Sequence, residues 1–277
     1  MKNLLREKIM NGEKTVGTFF EAGNASVAEA LALTDLDYML IDTEHGPFDV
    51  ESVMLMLRGA ELHGTTALVR VKDSNRNSIL KMLDIGAGGL IIPQVHSLEE
   101  IKKIVEYGKY FPVGQRGVAF ARGAGYGYLE HAKGDINDYF ATCNRETLLI
   151  PQCETKGCLE NIEEIAKVDG IDGIFVGPYD LSVAMGIPTQ FDKPEFKAAL
   201  ERILKAVKDA GKFTIIYCAD FNVANTRLKQ GFDSVTVGQD VNFYIDAINE
   251  IISIVLFNIP CVRFLLNSCS SIYKEFS

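Results

Sequence analysis

The chain has 277 residues, 47% hydrophobic and 23% charged, which fits a soluble globular protein of one large domain or two small ones. Its net charge is −9 with no basic stripe, so nucleic acid is not an expected partner. The opening MKNLLREKIMNGEK lacks the apolar core of a signal peptide, and six cysteines without framework spacing fit a reducing compartment, so a cytoplasmic location is expected.

In chain order, residues 2–10 read as a short helix lying outside the core. Thr15–Phe20 (TVGTFF) is a strand, and Ala25–Leu33 a helix. Asp37–Asp42 (DYMLID) is a second strand, followed by the polar loop Thr43-Glu44-His45-Gly46-Pro47. A helix is expected from Val50 to His63, a third strand over Thr66–Val71, a helix over Ile79–Ile85 and a fourth strand over Gly88–Pro93. Leu98, Ile101, Ile104 and Val105 share one helical face. Residues 111–144, rich in Gly and Tyr, are too long for a plain connector and read as an active-site loop with some helix. The fifth strand is 147–152, with a helix over Gly157–Lys167 and the sixth strand at 171–176. Asp192 and Pro194 read as the cap and first turn of a helix whose stripe is Phe196, Leu200, Ile203, Leu204 and Val207. Phe213–Cys218, a helix over Asn222–Gln230, Ser234–Gly238 and a last helix from Val241 complete the pattern. Eight strands alternating with helices predict an α/β fold, a (β/α)8 barrel, over residues 1–254. A doubly wound open sheet is the competing arrangement, but its glycine fingerprint is missing. GAGYGY at 123–128 carries Tyr128 where the last glycine belongs.

The chemistry concentrates at strand C-terminal ends, where barrels of this kind keep their active sites. TLLIPQCE (147–154) and GIFVGPYDLS (173–182) are apolar runs that each end in acid. Gln152 and Glu154 are two apart and share a strand face. Glu154 and Asp180 together suggest a site for a hard divalent cation. The other polar strand-end residues are Asp42, His45 and Arg70. Each has a plainer explanation. Asp180 could cap a helix, His45 could cap a turn, Arg70 could pair with a neighbouring acid, and Gln152 could satisfy backbone groups. His63, His96 and His131 read as surface residues.

If these groups converge, the fitting reaction is enolate formation from a 2-oxo acid. Glu154 and Asp180 would hold Mg²⁺ or a similar ion as Lewis acid, and Arg70 would donate to the keto oxygen. Amides near Tyr179 and Asp180 would take the substrate carboxylate. His45, oriented by Asp42, would move the aldol hydroxyl proton. The lysine route to an enamine finds no candidate, because Lys156 lies two residues past Glu154 in a solvated setting.

The segments DYMLIDTEHGPFDVE, ALVRV, LDIGAGGLIIPQV, FPVGQRGV, LLIPQCET and DGIFVGPYDLSVAMG resemble the HpcH/HpaI family of class II pyruvate aldolases, from Gly17 to Asp240. The resemblance implies a (β/α)8 barrel of the phosphoenolpyruvate/pyruvate type, usually a homohexamer, that uses Mg²⁺, Mn²⁺ or Co²⁺. It places Glu154 and Asp180 as metal ligands, Arg70 on the keto oxygen, and His45 with Asp42 as the acid/base pair. Gln152 matches a residue near the metal waters, Gly177, Tyr179 and Asp180 fall on the substrate side, and Arg116-Gly117 lies in the active-site loop. Tyr179 is bulkier than the alanine common in the family, and the loop 122–128 is distinctive. Residues 255–277 match nothing in the family; their apolar run is broken by Asn258, Pro260 and Arg263, so a membrane span is not expected. An acyl-CoA lyase of the citrate lyase β-subunit type and a non-catalytic binding barrel are the alternatives.

Overall fold

The structure, a computed structural model, describes residues 2–257. Eight strands close into one parallel barrel in sequence order. They are β1 Thr15–Phe20, β2 Tyr38–Asp42, β3 Thr66–Arg70, β4 Gly89–Ile92, β5 Leu148–Cys153, β6 Gly173–Val176, β7 Phe213–Cys218 and β8 Ser234–Gln239. The interleaved helices are α1 Leu4–Met10, α2 Ala25–Ala32, α3 Val50–Glu61, α4 Arg76–Asp84, α5 Leu98–Gly108, α6 Ile136–Glu146, α7 Lys156–Glu160, α8 Ile162–Lys167, α9 Pro178–Ala184, α10 Pro194–Asp209, α11 Phe221–Gln230 and α12 Asp240–Phe257.

Alternation along each strand makes two cores. One face packs outward under the helices: Met39 and Ile41, Val69, Leu90 and Ile92. The other fills the barrel: Phe19, Tyr38 and Leu40, Leu68, Ile91, Leu148 and Ile150, Phe175, Phe213 and Ile215. Space for the large inward rings comes from glycine. A side chain on Gly17 would collide with the Tyr38 ring, and one on Gly173 with Phe213. Tyr38 is fully buried, and its hydroxyl is 2.7 Å from Thr236 Oγ1 across the closure of the barrel.

The expectation for the first helix was wrong. α1 does not lie outside the core: Leu5 is fully buried and joins the cluster inside the barrel, with Ile9 beside it. Asn3 caps the helix and donates from its Nδ2 to the carbonyls of Gly88 and Glu146. The signal was the spacing of Leu5 and Ile9, one helical turn apart. The helix expected over 157–167 is two short ones, broken at Asn161. Asp192 does not cap α10; Lys193 holds that position without a side-chain cap, and Asp192 pairs with Lys197 at 3.6 Å.

The long segment before β5 forms 3-10 turns at Arg122–Gly127 and Glu130–Ala132 and then α6. GAGYGY thus lies in a turn with Gly125 and Tyr126 at positive φ, not between a strand and a helix, and the nucleotide fingerprint has no context. The chain divides into two compact units, Met1–Gly238 and Gln239–Ser277. The first contains the site described below. α12 belongs to the second, and the tail expected after Ile254 starts within it; from 258 onward that tail lies outside the described residues.

Candidate active site

The inward period-two faces of the strands continue past the apolar fill into polar residues at the C-terminal end. Tyr38 and Leu40 lead to Asp42, Leu68 to Arg70, and Leu148 and Ile150 to Gln152 and then Glu154. Register aligns Asp42 with Arg70 on adjacent strands.

Asp42 and Arg70 form a two-pronged ion pair. Arg70 Nε donates to Asp42 Oδ1 at 2.8 Å and Nη2 to Oδ2 at 2.6 Å. Arg70 Nη1 reaches Glu44 Oε2 at 3.2 Å, and its guanidinium lies 4.7 Å over the Phe19 ring. The loop carrying Glu44 and His45 is tied to the same place. Thr43 donates from its N–H (2.9 Å) and its hydroxyl (2.7 Å) to the Arg70 carbonyl, and Glu44 N–H donates to Asp42 Oδ1 at 3.0 Å. Pairing Arg70 with an acid, the plainer reading, is therefore part of the arrangement.

The expected coupling of Asp42 to His45 is not what the contacts give. Among the described residues no bond joins them; both Asp42 oxygens accept from Arg70, its neighbour on the adjacent strand. The acid nearest His45 is Glu44, whose Oε2 is 4.0 Å from His45 Nε2. The His45 side chain itself is 73% exposed.

Glu154 is buried. Its Oε1 accepts from Gln94 N (2.8 Å) and Gln94 Nε2 (3.1 Å), and Gln152 Nε2 donates to Oε2. Gln94 adopts φ +52°, uncommon for a side chain other than glycine, and this turn aims both of its N–H groups at one oxygen. Burial, with the neighbouring charges of Asp180 and Glu44, pushes the Glu154 carboxyl up to about 7, against the pull of the Gln94 N–H and Arg70. Burial likewise raises Glu44, opposed by Arg70 and His45. A side chain on Gly177 would meet Gln152 Nε2 and Glu154 Oε2 at 2.7 Å each, so only glycine leaves this approach to the carboxylate clear. Asp180 is exposed in the first turn of α9; the N-cap there is Gly177, so the capping reading of Asp180 falls.

Aromatic rings form one wall of this mouth. Tyr217 sits 5.7 Å from Phe19 and 5.9 Å from Tyr179, and Tyr179 lies edge-on to Phe191 at 5.2 Å.

Other expected residues lie elsewhere. Arg116 is buried, bonds to Asp84 at 2.9 Å and stacks 4.6 Å over Tyr110, making none of the contacts of the Arg70 cluster. Lys156 points out and pairs with Glu160 at 3.7 Å. His131, read as a surface residue, is half-buried, with its ring 6.1 Å from Tyr139. Glu44 and Gln94 are the site residues that the sequence reading passed over. Both follow directly on a buried strand, in DTEHG and GLIIPQ, the same signal that selected Glu154.

No group of three or more His, Cys, Asp or Glu side chains arranged to hold a metal occurs among the described residues. The donor set still suits a hard cation completed by water. Glu154 and Asp180 are two carboxylates whose mutual repulsion a divalent charge would relieve. The buried Gln152 Oε1 beside them has no hydrogen-bond partner.

A closed parallel barrel with charged groups gathered at the C-terminal rim defines an enzyme of the (β/α)8 class. Residues 15–247 match the HpcH/HpaI aldolase/citrate lyase family, and the chain belongs to it. A 2-keto-3-deoxy-L-rhamnonate aldolase of Klebsiella pneumoniae is 32% identical over 251 residues, 90% of this chain and 92% of that one. Among solved structures, a family protein from Burkholderia cenocepacia superposes with TM-score 0.84 at 29% identity, covering 92% of this chain and 99% of that one. An HpcH/HpaI aldolase from Desulfitobacterium hafniense gives TM-score 0.84 at 26% identity, covering 93% and 98%. The protein is a carbon–carbon lyase of the aldolase type.

Proposed function

We propose that the chain is a divalent-metal-dependent aldolase that cleaves 4-hydroxy-2-oxo acids to pyruvate and an aldehyde, with a deoxy sugar acid of the 2-keto-3-deoxy-L-rhamnonate kind as substrate. The observation that carries this is the buried Glu154, held with Asp180 beside an anchored Arg70. Glu154 and Asp180 would hold Mg²⁺, Mn²⁺ or Co²⁺. Such an ion supplies Lewis-acid charge to the 2-oxo acid.

The residues of the chain then divide the work. Arg70 has five N–H groups; three meet Asp42 and Glu44, and the others are free to donate to the keto oxygen as it gains negative charge. His45 takes the C4 hydroxyl proton, directly or through a water, as the C3–C4 bond breaks. The bond electrons pass into the enolate of pyruvate, which takes a proton at C3 from water, while His45 returns its proton to solvent. Gln152 holds Glu154 in place. Gly177 leaves room for the substrate, whose carboxylate meets the amides of Tyr179 and Asp180. The Tyr179 side of the mouth faces the aldehyde. The exposed apolar side chains of α12, among them Ile251 and Val255, support a homo-oligomer, hexameric as the resemblance implies. No described helix is long and apolar enough to cross a membrane.

The acyl-CoA lyase alternative is less favoured, since the relatives at 32% identity are named as aldolases. The test is cleavage of 4-hydroxy-2-oxo acids with and without EDTA. Activity should vanish with chelator and return with Mg²⁺, Mn²⁺ or Co²⁺. Full activity in EDTA, with borohydride trapping of pyruvate on a lysine, would overturn the reading.

A further inference from the structure

The inward row of β7 runs Phe213, Ile215, Tyr217. The first two belong to the apolar fill of the barrel. Tyr217, half-buried, comes out at the same end as Asp42, Arg70 and Glu154. It is a middle ring of a strip that starts under the reacting groups. The Arg70 guanidinium lies over Phe19, Phe19 meets Tyr217 with the two rings at 62°, and Tyr217 meets Tyr179 at 57°.

Packing accounts for the Tyr217 ring and not for its hydroxyl, since a phenylalanine would make the same ring contacts. The phenol deeper in the barrel is satisfied: the Tyr38 hydroxyl is 2.7 Å from Thr236 Oγ1 and accepts from Ser234 Oγ at 3.3 Å. Thr236 is the register neighbour of Tyr217 on β8, so the hydroxyl beside Tyr217 in the sheet already serves Tyr38. The Tyr217 hydroxyl makes no hydrogen bond among the described residues. Burial, with Tyr179, Cys218 and Glu21 nearby, pushes its pKa up, so it stays an O–H donor. A half-buried phenol at the mouth of an active site finds its partner in water or in a ligand.

We propose that Tyr217 determines which aldehyde the enzyme accepts: its O–H donates to a hydroxyl on C5 of the substrate, so 2-hydroxyaldehydes are taken in preference to the same aldehydes without that hydroxyl. This rests on the aldolase reading, in which the keto oxygen meets Arg70 and the aldehyde half lies on the Tyr179 side. From there C5 extends along the strip away from Arg70. Phe19 has no polar atom to offer it, and Tyr217 is the first phenol it meets. Tyr179 comes next but is exposed, so water competes for its hydroxyl; the half-buried Tyr217 is better shielded from that competition.

The test is aldol addition of pyruvate to a matched pair of aldehydes, lactaldehyde and propanal, which differ only in the 2-hydroxyl. The full chain is used with Mn²⁺ present. Tyr217→Phe should lose about 2–12-fold in kcat/KM for lactaldehyde, the range for one hydrogen bond between neutral groups, and keep its value for propanal. The ratio of the two therefore falls by the same factor. Proton exchange at the pyruvate methyl, which involves no aldehyde, should be unchanged. A ratio that Tyr217→Phe leaves alone overturns the assignment, whether both values hold or both fall together. Should Tyr217→Phe fail to fold, Tyr217→Leu removes the same hydroxyl and the ratio is read in the same way. A parent chain that exchanges the pyruvate methyl proton but adds pyruvate to neither aldehyde overturns the assignment alone. A parent that does neither overturns the aldolase reading and the assignment with it.

Discussion

The two ends of the barrel each bury a cation, and they treat it differently. At the N-terminal end, Lys109 donates to the carbonyls of Asn144 (2.8 Å) and Thr147 (2.6 Å) and to Asp172 (2.9 Å), so its three N–H groups have three acceptors. Asp172 also accepts from Leu149 N–H. Charge there leaves no acid in surplus: Asp172 feels Lys109 and Arg6, and the half-buried Lys212 feels Asp172 in turn. At the C-terminal end, Arg70 faces Asp42 and Glu44 directly and feels the charge of Glu154, with Asp180 close by. Acid exceeds base, and Glu154 carries the strain as a raised pKa. A balanced buried pair closes the bottom of a barrel; a surplus of carboxylate at the top awaits a positive ligand.

The sharpest way to break this contrast is to remove the surplus. Glu154→Ala and Asp180→Ala should each abolish metal-dependent cleavage while leaving the fold intact by circular dichroism, with metal binding lost in calorimetric titration. Retained binding in both variants would place the metal elsewhere.

Arg70 and His45 come next. Arg70→Lys keeps charge but loses the fork shared with Asp42, and should cost roughly 10²–10³-fold in cleavage and in proton exchange at the pyruvate methyl. His45→Ala should slow cleavage by roughly 10²–10⁴-fold and spare oxaloacetate decarboxylation. Equal losses in all reactions for both variants would show that the two residues do not divide the work.

The balanced end predicts the opposite kind of failure. Lys109→Met leaves the half-buried Asp172 without its ion-pair partner and two carbonyls without a donor. The expected loss is about 3–5 kcal/mol of stability in denaturant titration, with activity per folded molecule unchanged. A variant as stable as the parent would mean that water replaces the ammonium.

These differences also explain what could be read from sequence. The barrel was legible because each strand is a buried run with helical stripes between, and β1 and β7 fall on the expected residues, Thr15–Phe20 and Phe213–Cys218. The candidate site was legible where a polar residue ended an apolar strand, as at Asp42, Arg70 and Glu154. Partner choice was not. Asp42 lies three residues before His45 in sequence but opposite Arg70 in register, and register is a property of two strands together. Gln94 was hidden because its role depends on a positive φ that the residue type does not announce. α1 was misplaced because a seven-residue helix that buries only two side chains, Leu5 and Ile9, looks peripheral until the barrel floor it fills is known.

The smallest effect is on stability and should follow pH. In metal-free protein the Glu154 carboxyl stands near 7, above its ordinary 4.5, because burial and the nearby acids disfavour its charged form. A group raised on folding favours the fold in its neutral form. That contribution is fully present below about 4.5 and is lost as pH rises through about 7. Glu154→Gln keeps the shape of the neutral acid and can still accept from Gln94, while its amide N–H can face the unpartnered Gln152 Oε1. With EDTA present, the variant and the parent should melt together near pH 4.5. Above pH 7 the variant should be more stable by on the order of 1–3 kcal/mol. Saturating Mn²⁺ should shift the balance toward the parent, because only the parent gains ligand stabilisation, about 2.7 kcal/mol at a hundredfold excess over Kd. The chain has no tryptophan, so melting is followed by calorimetry or circular dichroism. A difference between variant and parent that does not change from pH 4.5 to 8 would show that Glu154 is ionised throughout, and that the acid surplus at this end of the barrel is already neutralised by the protein itself.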